Sequence, residues 1–164
     1  TGTITAAINA IRAAAENGAS YQAALSDLTA TTEVAIPEAL QAHATDGVAQ
    51  LGPLQDRFAP AARAALKAMR TADGPQTKEN RLLAFMKAQF GVRSLEAQPG
   101  TSAEAILSRA QAAVTKGDLS AALSEVYNLP QLGQDHLQDW IAAAQNRVAV
   151  KAALTELSNA LSGN

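Results

Sequence analysis

The stretch TSAEAILSRAQAAVTKGDLSAALSEV, residues 101–126, decides the fold class. Thr101-Ser102-Ala103-Glu104 has the form of a capping box, with Thr101 as N-cap and Glu104 reaching back to it. The helix it opens runs to Lys116 and stops at Gly117. Asp118 then caps a second helix that turns Leu119, Ala122, Leu123 and Val126 inward, and Asn128 to Pro130 end it. This is a helical hairpin closed at Gly117-Asp118, with small residues that let its two helices approach. The alanine runs at 13–15, 61–62 and 142–144 carry the same preference elsewhere, because alanine loses almost no side-chain entropy in a helix. The expected fold is all-α, a compact bundle of about seven to eight helices with a C-terminal hairpin and a long final helix.

Working outward, Thr3 to Asn17 reads as a helix with Ile4, Ile8, Ile11 and Ala15 on one stripe, narrow enough for the end of a coiled coil. Gly18 stops it, and Ser20 is the expected N-cap of a second helix to Thr31, with Tyr21, Ala24, Leu25 and Leu28 inward. Pro37 opens a short helix ending near Asp46-Gly47. Another is expected over Pro53 to Met69 with Leu54, Phe58, Ala62, Leu66 and Met69 inward; it is either kinked at Pro60 or begins there. Thr71 to Gln76 reads as a loop, Lys78 to Phe90 as a helix, and Gln98-Pro99-Gly100 as the clearest linker. Asp135 is placed as cap of the final helix, which runs to Leu161. Its apolar register passes through Leu137, Ile141, Ala144 and Val148, then shifts to Val150, Leu154, Leu157 and Leu161.

Charge is distributed unevenly. Eight of the thirteen basic residues fall between Arg57 and Arg93 against two acids, Asp73 and Glu79, so that segment carries +6 and the remainder −8. Such asymmetry points to an anionic partner, a membrane surface or a nucleic acid. On the 78–93 helix Leu82, Met86 and Phe90 align at i, i+4 and i+8. Phe85 and Leu83 flank them, and Arg81 and Lys87 lie on or beside the opposite side. Basic residues beside two phenylalanines suit an interface where apolar groups enter the acyl boundary and cations meet head groups. The predicted lipid-binding residues are therefore Lys78, Arg81, Leu82, Phe85, Met86, Lys87, Phe90 and Arg93, with Arg57, Arg63, Lys67 and Arg70 as supporting basic surface. A surface helix packed on a core has the same pattern, and the sequence does not separate the two. Nucleic acid fits less well, since no aromatic–basic interleaving suits base stacking and the acidic remainder repels phosphate.

Enzymatic signals are poor. His43 and His136 stand alone and read as solvated helix residues, and no phosphate loop, zinc motif or nucleophile elbow occurs. The chain is read as a non-enzyme without cofactor or metal. It has no cysteine, so disulfides and thiolate metal sites are excluded. No apolar run approaches the roughly 20 residues that span a bilayer. The start at Thr1 reads as a fragment of a longer protein whose anchor lies outside it.

The order of residues resembles the C-terminal domain of the mitofilin family, the inner-membrane organisers of crista junctions, in its bacterial branch. The carrying pieces are Ala105-Ile106-Leu107-Ser108-Arg109-Ala110, Lys116-Gly117-Asp118-Leu119-Ser120-Ala121-Ala122-Leu123 and Asp139-Trp140-Ile141-Ala142-Ala143-Ala144. Upstream, Glu16-Asn17-Gly18 through Tyr21 to Leu25 and Leu28 is similar too, though the family pattern there has a proline and a phenylalanine where this chain has Ala19, Ser20 and Tyr21. The resemblance implies three segments: 1–17 the end of a coiled coil, 18–97 a helical lipid-binding and supporting segment, and 98–164 the C-terminal mitofilin-like domain. It implies a self-associating, membrane-shaping scaffold on the periplasmic side of a bacterial inner membrane, held by a transmembrane segment outside this sequence. Implied partners are an anionic phospholipid membrane, a second copy of the chain and a protein bound through the C-terminal domain. The linker makes exchange of N-terminal halves a route to a dimer. Gly117, Asp118, Trp140 and Ile141 are read as structural core. The competing reading is a tetratricopeptide-like helical protein-binding module without lipid contact, for which the sequence offers one hairpin where a solenoid needs about three.

Overall fold

In a computed structural model that describes residues 2–73 and 100–162, eight helices and no strand occur among the described residues. They are α1 (Gly2–Asn17), α2 (Gln22–Thr31), α3 (Glu38–Ala42), α4 (Leu51–Ala72), α5 (Ala103–Thr115), α6 (Leu119–Val126), α7 (Gln131–His136) and α8 (Gln138–Ser162). The chain is all-α, with the hairpin at Gly117-Asp118 and the long final helix in place. The segment 78–93, on which the predicted lipid contact falls, lies outside the described residues.

Local chemistry explains most boundaries. Asp118 accepts a hydrogen bond from the Ala121 amide at 2.9 Å and so caps α6, as its position predicted. At α5 the cap is Ser102, whose Oγ accepts from the Ala105 amide at 3.2 Å; the helix starts one residue later than a Thr101 cap requires. Ser20 is likewise not the cap of α2. Its hydroxyl donates to the Ala44 carbonyl at 3.0 Å, tying the turn before α2 to the segment after α3. Asp135 does not cap the final helix either; it lies inside α7 and accepts from Gln131 Nε2 at 2.8 Å. Helix α4 begins at Leu51 and continues through Pro60, whose missing N–H leaves the Asp56 carbonyl without its usual helical partner. Its buried positions are Leu54, Phe58, Ala65 and Met69, while Ala62 and Leu66 are half-buried.

The apparent register shift in α8 is absent. Trp140, Ala144, Arg147, Val150, Leu154 and Leu157 are all buried on one continuous face, and Ile141 and Val148 are half-buried. A charged residue occupies the middle of the stripe, which is why the apolar period looked broken there.

Contacts divide the chain into two compact units, Thr1–Asp56 with Trp140–Asn164, and Arg57–Asp139. The first is built from α1, α2 and α3 around α8. Ile11, Leu25, Leu28, Leu40, Val150, Leu154 and Leu157 share one core cluster there. The second combines α5, α6 and α7 with most of α4. These units are drawn by packing, and they follow other lines than the sequence segments 1–17, 18–97 and 98–164.

The two halves repeat one plan. In α1 the buried positions Ala7, Ile8, Ile11 and Ala15 precede Gly18 by the same intervals at which Ile106, Leu107, Ala110 and Val114 precede Gly117 in α5. Both glycines sit at positive φ, +66° and +79°, which glycine adopts without strain. The next residue's amide bonds back in the same way, Ala19 to the Ala14 carbonyl and Asp118 to the Ala113 carbonyl, each at 2.9 Å. The second helices match as Ala23-Ala24-Leu25-Ser26-Asp27-Leu28 and Ala121-Ala122-Leu123-Ser124-Glu125-Val126. The short helices match more closely still. Pro37 and Pro130 open them, and the side chains of Gln41 and Gln134 donate to the carbonyl before each proline, Ile36 at 2.8 Å and Leu129 at 2.9 Å. His43 and His136 follow at the same place. One difference is compensated: Leu40 in α3 corresponds to Gly133 in α7, where Met69 Sδ lies 2.7 Å from where a Cβ would be. In each packing unit the long helix comes from the other repeat.

Candidate functional site

The described part of the basic segment is α4. Arg57, Arg63, Lys67 and Arg70 are all exposed, and no acid occurs between Arg57 and Ala72. Arg63, Lys67 and Arg70 stand at i, i+4 and i+7 and share one side of the helix, turned away from Leu54, Phe58, Ala65 and Met69. Arg57 projects elsewhere around the helix. Glu104, in the first turn of α5, accepts from Arg70 Nε at 3.2 Å and from Nη2 at 2.9 Å. Among the described residues Arg57, Arg63 and Lys67 make no ion pair. The predicted supporting surface thus consists of one three-residue face and a separate arginine. Lys78, Arg81, Leu82, Phe85, Met86, Lys87, Phe90 and Arg93 lie outside the described residues.

Of the residues read as structural core, Gly117 and Asp118 form the hairpin turn and Ile141 is half-buried. Trp140 is buried, and its indole N–H donates to the Leu54 carbonyl at 2.9 Å. Arg109, in α5, locks the α5–α6 hairpin. It donates from Nε and Nη2 to the two carboxylate oxygens of Glu125, both at 2.8 Å, and from Nη1 to the Gly100 carbonyl at 2.7 Å. The paired Arg109 side chain holds the Glu125 carboxyl below its ordinary pKa, against a smaller opposing effect of burial. Such two-pronged arginine–carboxylate pairs fix geometry as well as charge.

Sequence reasoning missed Arg147. It is buried, and Nη1 donates to the carbonyls of Ala15 at 3.2 Å and Ala49 at 3.1 Å while Nη2 pairs with Glu16. Lys151 Nζ approaches the other Glu16 oxygen at 3.2 Å. Burial works against ionisation of Glu16, but the Lys151 hydrogen bond and the charges of Arg147 and Lys151 outweigh it, so its pKa is lowered. The arginine closes the C-terminal end of α1 and the approach to α4 onto α8. The signal in the sequence was the gap it leaves in an otherwise regular apolar stripe.

Pockets and chelating groups offer little. An open groove of about 490 Å³ runs along α2 and the extended segment 32–36, lined by Ser26, Thr29, Thr32, Glu33, Val34 and Gln41 among others. A second of about 420 Å³ lies between α1 and α2 and is lined mostly by alanine. Among the described residues no cluster of three His, Asp or Glu could hold a metal ion, and no helix is long and apolar enough to cross a membrane. His43 is half-buried at the end of α3, and His136 is exposed. No protein family, curated protein or solved structure matches the chain.

Proposed function

We propose that this chain is part of a mitofilin-like membrane-organising scaffold, one that self-associates and binds an anionic membrane surface through the basic amphipathic segment 78–93. The observation that carries the reading is the charge of the Arg57–Arg93 segment. Its described portion presents four exposed cations against one acid, Asp73 at its end, which favours an anionic surface and opposes burial against another acid-poor protein face. The order of the 105–110, 116–123 and 139–144 pieces supports the family. On this reading the chain works on the periplasmic side of a bacterial inner membrane, held by an anchor outside the sequence, and a protein partner engages its C-terminal part.

Flotation with vesicles of phosphatidylcholine, with and without phosphatidylglycerol, tests it. The chain is expected to float with the anionic vesicles alone, and F85D/F90D or R81E/K87E to remain at the bottom. Both double variants floating like the wild type would remove the 78–93 helix from the reading.

The repeated hairpin favours a second reading, a tetratricopeptide-like module that binds a protein partner without touching lipid. The two hairpins among the described residues are fewer than the roughly three stacked repeats such solenoids need. Failure to float with either vesicle type would favour it.

A further inference from the structure

The repeated architecture provides an internal control for the charge on α4. Both long helices, α4 and α8, present a buried stripe to a hairpin and a short helix. In α8 the charges balance: Asp139 and Glu156 against Arg147 and Lys151, with Arg147 buried and both basic residues paired with Glu16. In α4 Asp56 alone stands against Arg57, Arg63, Lys67 and Arg70. The shared plan is met by a balanced helix in one repeat, so packing does not demand the excess of cations in the other. Arg63, Lys67 and Arg70 also repel one another at i, i+4 and i+7, an arrangement unfavourable to an isolated helix.

Among the described residues Glu104 is the acid that forms an ion pair with this face. Its side chain and that of Arg70 are about half exposed, 45% and 57%, so the pair is screened by water and easily replaced. We propose that the Arg63–Lys67–Arg70 face is a second contact for anionic phospholipid, and that Glu104 is its built-in counter-ion, displaced from Arg70 by lipid phosphate on docking. The proposal rests on the membrane reading above and adds to it a site and a restraint. The three cations span about 10 Å along the helix, at 1.5 Å per residue, enough to meet more than one head group. Lipid is favoured over duplex nucleic acid because the segment that continues from α4 carries Phe85, Met86 and Phe90, which an acyl boundary accommodates and a phosphodiester backbone does not.

The test uses the whole chain and the same vesicles. Each cation removed from the face weakens partitioning about fivefold, so R63A/K67A loses about 25-fold. E104Q strengthens partitioning several-fold, and R70A costs more in the E104Q background than in the wild type, because only there is the Arg70 charge free. Alanine at exposed helix positions raises helix propensity, so these variants retain the fold. R63A/K67A and E104Q partitioning like the wild type, while F85D/F90D does not, would overturn this site and leave the membrane function standing. The reverse result, loss only with R63A/K67A, would keep this site and move the membrane contact away from residues 78–93. A wild type that ignores anionic vesicles would end both, and a duplex DNA oligonucleotide that displaces the protein at equal phosphate would overturn the choice of lipid.

Discussion

Arg147 and Tyr21 show opposite ways of burying a polar group. Arg147 satisfies two backbone carbonyls and a carboxylate, whereas the Tyr21 hydroxyl, 2% exposed as a residue, has no hydrogen-bond partner among the described residues. An unmade buried hydrogen bond carries a desolvation cost of about 1–3 kcal/mol. Tyr21→Phe is therefore expected to be neutral or stabilising by about 1 kcal/mol in urea unfolding, and a loss beyond that size would show that the hydroxyl is satisfied. Arg147→Met orphans the Ala15 and Ala49 carbonyls and is expected to cost about 2–4 kcal/mol. Glu16→Gln, on the half-exposed partner, costs about 1 kcal/mol or less. Because the folded pKa of Glu16 is lowered, its contribution is present above the ordinary glutamate value of about 4.3 and is lost as pH falls through the lowered value. Melting temperatures from neutral pH down to about pH 3 should fall less steeply for Glu16→Gln than for the wild type; parallel curves would contradict the ion pair. None of this was legible beforehand, since the partners of Arg147 lie 98 to 132 positions away along the chain.

Among elements, the most legible were those fixed by local chemistry. Gly117 and Asp118 stop one helix and start the next through bonds within five residues, and Leu119, Ala122, Leu123 and Val126 all face inward as their spacing required. Boundaries failed by a residue where two capable groups adjoin, as with Thr101 and Ser102. They failed by more at α8, because Asp135 was taken up by the short helix α7. The second hairpin, α1–α2, escaped notice as a repeat because its loop is one residue longer and Tyr21 stands where Leu119 stands in the other. The exchange of long helices between repeats was invisible for a different reason: nothing local says which hairpin a helix will pack against. It has a measurable consequence. Leu154→Ala in α8 opens a cavity worth about 2–5 kcal/mol in the first unit. Amide hydrogen exchange is expected to rise in α1 and α2, distant in sequence, more than in α5 and α6. A uniform rise, or one confined to α5–α7, would contradict the packing described.

For the whole molecule, the sequence revealed that its charge is segregated, and the structure adds where part of that charge is displayed. The first unit holds seven acids against Arg12, Arg147 and Lys151, and two of those three cations are engaged with Glu16. The second unit contains the Arg63–Lys67–Arg70 face of α4. Long-range attraction to an anionic surface needs no pocket, which fits the open grooves among the described residues. It also requires salt sensitivity, because the Debye length shrinks from about 10 Å at 0.1 M to about 3 Å at 1 M ionic strength. The deciding measurement is flotation of the unmodified chain with phosphatidylcholine vesicles, with and without phosphatidylglycerol, at low and at high salt. The account predicts flotation only with the anionic vesicles and its steep loss at high salt. Equal flotation with neutral vesicles, or none with either, would contradict it.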